Sequence, residues 1–200
     1  TMSTFWNLNI ISNVTASSGI AVTNNMTITG SFDSDYELRV WGNMSQSGYC
    51  NQTGAVDWRI GNYTGDAGYF VQGKNLYYTG NWLLSGGSYN GSTAFDTTIV
   101  GYWNVTGGTL KADSLKLNMT GTSKSILLVG EEGLFDFKVG SGATIALAAS
   151  IDVPHTFSLD GTLSLGVFVL DNTGGTTSCT AHFVFSTAGT FIAGNSITVA

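Results

Sequence analysis

IAVTNNMTIT, residues 20–29, alternates. Ile20, Val22, Met26 and Ile28 fall on one side of an extended chain and Thr23, Asn25, Thr27 and Thr29 on the other, the period of two that marks a half-buried strand. The pattern continues in both directions. In FDSDYELRVW (32–41), Phe32, Tyr36, Leu38 and Val40 oppose Asp33, Asp35, Glu37 and Arg39; in VDWRI (56–60), Val56, Trp58 and Ile60 oppose Asp57 and Arg59. Upstream, TMSTFWNLNI (1–10) sets Trp6, Leu8 and Ile10 against Asn7 and Asn9. Helical periodicity is absent throughout.

Gly punctuates the chain about every eight to twelve residues, the spacing of short strands in a sandwich or barrel. The fold expected is all-β, a single antiparallel β-sandwich of Ig-like or jelly-roll-like type, and 200 residues suffice for one such core. In TLKADSLKLNM (109–119) the apolar parity slips near Asp113-Ser114, as a bulge would cause. LDNTGGTTS (170–178) reads as a hairpin connection and Glu131-Glu132 as a turn.

The surface is chemically neutral. Charged residues make up 10% of the chain, the formal net charge is -6, and the mean hydropathy is +0.16. Phosphate binding needs clustered Lys and Arg, and seven scattered basic residues argue against a nucleic-acid partner. No apolar run approaches the roughly 20 residues of a membrane span. The first residue is Thr1, which leads us to expect a processed, mature chain.

Asn-x-Ser/Thr sequons occur at Asn13, Asn25, Asn43, Asn51, Asn62, Asn90, Asn104 and Asn118. With fifteen Asn in the chain, that is about twice what composition supplies by chance. Their density suggests a secreted glycoprotein whose N-glycans supply the polarity that charge does not. All five Trp and all eight Tyr lie before residue 104. The first portion therefore reads as half-wet, sugar-covered surface, and SILLVG, TIALAA and LSLGVFVL further on read as interior strands or as surface covered by a neighbour. Cys50 and Cys179 leave either a disulfide or two free thiols, and in an exported protein the disulfide is expected.

No catalytic motif is present, and no catalytic residue, cofactor or metal ligand is assigned. His155 and His182 have no acidic or Cys neighbour at ligand spacing. Asp33, Asp35 and Glu37 share a strand face and are the best Ca²⁺ candidates, but Leu38 stands where an EF-hand loop has glycine. They read more simply as a solvated acidic face that discourages edge pairing.

An all-β chain with dense sequons, little charge, a single expected disulfide and an apolar N-terminal strand on the Ser/Gly tether TASSGIA (15–21) resembles the thread-type pilins of thermoacidophilic archaea. The resemblance rests on composition and architecture across the whole chain. It implies an extracellular cell-surface filament, with residues 1–19 as donor strand and tether and 20–200 as the head domain. Phe5, Trp6, Leu8, Ile10 and Ile11 would then fill a groove in the next copy, head to tail, so the partner is the chain itself. The alternative is a secreted or S-layer-associated carbohydrate-binding sandwich, with Trp41, Trp58, Trp82, Trp103, Tyr77 and Tyr78 supplying a stacking platform.

Overall fold

The computed structural model describes residues 2–54, 56–111, 115–127, 134–173, 175–179, 182–185, 190–192 and 196–199, those after residue 175 by their backbone alone. Among them every regular element is a β-strand, as the alternation predicts. The strands do not form an antiparallel sandwich. Every pairing is parallel, and the chain winds into a parallel β-solenoid of stacked coils. The reason is geometric: a coil that turns inward residues toward an axis and outward residues toward solvent needs the same period of two as a sandwich strand.

Each coil has three faces. The first two are the halves of one bent strand in the early coils, Met2–Ile10, Gly19–Ile28, Leu38–Gln46 and Trp58–Gly65. From there the halves separate. Leu76–Tyr78 stacks on the first half of Trp58–Gly65 and Trp82–Leu84 on the second. The third face runs from Val14–Ala16 to Thr109–Lys111 and resumes at Ile151–Asp152. From residue 96 onward the first face repeats every twenty residues, placing Asp96, Lys116, Asp136, Thr156, Thr176 and Ser196 in one column.

The core is the interior of this tube, built from columns that run along its axis. Val22, Val40, Ile60, Tyr78, Ile99, Met119, Val139 and Leu159 succeed one another on the first face, all buried. On the second, Met26, Met44, Tyr63, Trp82 and Trp103 do the same. Each fully buried large side chain contributes roughly 1.5–3 kcal/mol. The rungs lie about 4.8 Å apart, so each ring rests on the ring below.

This packing corrects the reading of the aromatic residues. Trp58, Trp82, Trp103, Tyr63, Tyr78 and Tyr89 are buried core, not half-wet surface. The later apolar segments are not doubly buried strands: in Thr144–Leu147 the threonine and alanine face outward and the isoleucine and leucine inward. LDNTGGTTS is a coil corner between Val169–Asp171 and Thr176–Cys179 rather than a hairpin. The expected bulge at Asp113-Ser114 and turn at Glu131-Glu132 lie outside the described residues.

Glycine marks the corners, which is what its spacing encoded. Gly68, Gly87 and Gly108 stack at the turn between the second and third faces with φ of 75°, 70° and 77°. Only glycine adopts that conformation without strain, and an added Cβ on Gly87 would lie 2.5 Å from the Ala67 carbonyl carbon. Buried glutamines satisfy the backbone at another corner. Gln72 donates Nε2 to the carbonyls of Lys74 at 3.0 Å and Asp96 at 3.2 Å, and Gln52 Oε1 accepts from the Lys74 amide at 3.1 Å.

The N-terminal segment belongs to the same stack. Residues Met2–Ile10 pair in parallel with Gly19–Ile28 of their own chain, Phe5 with Val22 and Ile10 with Ile28, with a one-residue shift between Phe5 and Asn7. Ile10 is buried and Leu8 packs against the core, while Trp6 and Ile11 point out, 70% and 75% exposed.

Candidate functional site

The outer side of the first face is a polar strip along the solenoid axis. One of its columns places Arg39, Arg59, Tyr77, Thr98, Asn118, Lys138 and Ser158 in succession. Beside it run Asp96, Lys116, Asp136 and Thr156. Tube geometry alone brings these residues together, because neighbours in a column are about twenty positions apart in the chain.

At the middle of the strip, Asp136 gathers three partners. Its Oδ1 accepts from the Thr156 amide at 3.0 Å and lies 2.6 Å from His155 Nδ1, and its Oδ2 is 3.6 Å from Lys116 Nζ. Phe135 stacks on the imidazole with ring centroids 4.3 Å apart. Lys138 pairs with Asp160 at 3.0 Å. A depression of about 240 Å³ lies over Lys116, Asp136, Lys138 and Thr156. Sequence reading gave His155 no acidic neighbour, because its neighbour is one coil away. The twenty-residue repeat is the signal that would have found it. The contact between His155 and Asp136 is an ordinary exposed hydrogen-bonded pair.

The second face carries an asparagine ladder. Asn7, Asn25, Asn43 and Asn62 stand in register. Asn43 Nδ2 donates to Asn25 Oδ1 at 3.0 Å, Asn62 Nδ2 to Asn43 Oδ1 at 3.0 Å, and Asn62 Oδ1 accepts from the Asn81 amide at 2.8 Å. Thr27, Ser45 and Thr64 form the next outward column. Three sequons, at Asn25, Asn43 and Asn62, thus coincide with a solenoid motif in which outward Asn and outward Ser/Thr flank one inward residue. Of the others, Asn13 is exposed between strands, and Asn51, Asn90, Asn104 and Asn118 are half-buried on strands. Asn118 Oδ1 is buried with no partner among the described residues.

The remaining expected site residues disperse. Asp33 lies half-buried on Ser31–Ser34, Asp35 at the following corner accepts from the Thr53 hydroxyl, and Glu37 is held 2.7 Å from Arg39 Nε. Among the described residues no three metal-ligating side chains cluster. Cys50 is a free, buried thiol whose pKa burial pushes well above the usual value, with Asp33 adding to the rise. Its expected partner Cys179 lies on the first face beside Leu159, and its side chain lies outside the described residues. The His182 side chain lies outside them too. Of the six expected stacking residues, Trp41 is exposed and Tyr77 half-buried, while the other four are core.

A scan of protein-family models and searches of curated proteins and of solved structures find no match to this chain.

Proposed function

We propose that this chain is a stiff, non-catalytic length of an extracellular surface fibre, dressed with N-glycans, that presents its faces rather than an enclosed site. The observation that carries the reading is the continuity of the inward columns. Buried side chains of successive coils stand in register without a break from Val22 to Leu159 on the first face. A solenoid of this kind is quasi-one-dimensional, its stability summed from neighbour contacts and its length set by the number of coils. Low charge and the outward Asn, Ser and Thr columns suit an exposed surface that sugars keep soluble.

Immunogold labelling of cells that make the chain, with antibody raised against the purified protein, tests this. Gold aligned along surface fibres is the expected result, and label confined to the cell interior overturns it.

A further inference from the structure

The chain contains two arginines, Arg39 and Arg59, and they stand in register on adjacent rungs. Like charges directly opposed across a strand pair repel, so a protein with seven basic residues has placed two of them where they cost stability. Glu37 neutralises part of the pair through Arg39 Nε at 2.7 Å. Arg59 is exposed and has no ion-pair partner among the described residues.

Beside them the register shifts. Between Val40 and Asn43 the strand Leu38–Gln46 carries Trp41 and Gly42 where Trp58–Gly65 carries only Gly61. The extra residue is a bulge, and the Trp41 indole, next along the strand from inward Val40, points outward, 57% exposed. Gly61 has no room for a side chain, because an added Cβ would lie 2.2 Å from the Gly42 carbonyl oxygen. A depression of about 140 Å³ results, with Arg39, Trp41, Arg59 and Thr79 around it and Val40 and Ile60 at its base.

We infer that this depression binds one acidic sugar residue of an extracellular polysaccharide. Guanidinium forks match a carboxylate or sulfate in bidentate fashion, and an anion between Arg39 and Arg59 relieves their repulsion. The indole offers a flat apolar face for the C–H face of a pyranose ring, and the Thr79 hydroxyl is a further polar contact. The volume suits a single ring, and the strip running on past Tyr77 leaves the polymer free to continue along the axis. This binding does not depend on the fibre role proposed above.

Isothermal titration of the full chain with an oligogalacturonate, a sulfated heparin oligosaccharide and a neutral cello-oligosaccharide tests it. One or both acidic probes should bind, more weakly as salt rises, and the neutral probe should not. The carboxylated and sulfated arms tell which acid is preferred. R59Q and W41A should each weaken binding at least tenfold, with melting curves showing that both variants stay folded. Binding of no acidic probe, equal binding of the neutral one, or binding unmoved by R59Q and W41A overturns the inference.

Discussion

Trp82 and Trp103 lie face to face on adjacent coils, ring centroids 3.7 Å apart and planes within 1° of parallel. They occupy the same position on successive rungs, so the contact is a direct product of the coil register. Tyr63 continues the stack 5.5 Å from Trp82, and Tyr89 meets both indoles edge-on. Trp103→Ala opens a cavity on both sides of its rung and is expected to cost about 3–5 kcal/mol. Urea unfolding checks this, and a loss below about 1 kcal/mol would contradict the buried stack.

Alkaline pH should destabilise the protein. Burial raises the pKa of Cys50, Tyr63, Tyr78 and Tyr89 above their usual 9.0 and 10.0. In the unfolded chain these groups lose protons from about pH 9 upward, while the folded chain keeps them. The unfolded state therefore binds fewer protons, and stability is full below pH 9 and falls as pH rises beyond it, by roughly 1.4 kcal/mol per pH unit for each group titrating. The urea midpoint should hold between pH 7 and about pH 9 and fall by pH 10.5; a midpoint that holds or rises from pH 9 to 10.5 refutes the burial of these groups.

Coil deletion separates a solenoid from a sandwich. Removing residues 136–155 places Thr156 where Asp136 stood, so Leu117 meets Phe157 in place of Phe137. The shortened chain should fold with β-sheet circular dichroism and a melting temperature within about 10 °C of the parent, because stability is a sum over neighbouring coils. Removing only residues 136–145 leaves thirty residues between Lys116 and Thr156, one and a half coils, which breaks the register at that junction and should lower the melting temperature well below that of the whole-coil deletion. Equal behaviour of the two deletions would count against the solenoid.

The asparagine ladder limits glycosylation. Asn43 and Asn62 sit on adjacent rungs about 4.8 Å apart, closer than two sugar chains can stand, and each Nδ2 already donates to the rung below. In a glycosylating host, intact glycopeptide mapping should find no molecule carrying sugar on both Asn43 and Asn62, whereas exposed Asn13 is free of this restriction. Double occupancy would show that the ladder is not the state that meets the glycosylating enzyme.

The sequence by itself determined that the regular elements are strands and many of the side chains that face inward, Val22, Met26 and Ile28 in one strand and Trp58 and Ile60 in another, whereas Trp6, Tyr36 and Val56, read on the same apolar faces, are exposed. Alternation reports the face of a strand because side chains alternate about the backbone whatever lies alongside. It does not report the partner. A parallel coil and an antiparallel hairpin need the same period, so the direction and partner of every strand were left to tertiary structure. The clue that was there, a twenty-residue repeat from Asp96 to Ser196, is blurred because the columns conserve polarity rather than identity. Before residue 96 the spacing also varies, as Val22, Val40, Ile60, Tyr78 and Ile99 show. The sequons were legible as a pattern, but only the stacked register revealed that Asn25, Asn43 and Asn62 are rungs of one ladder. Likewise, Arg39 with Arg59 and Asp136 with His155 became neighbours only when the chain had wound one full coil, since contacts across coils are long-range in sequence and short in space.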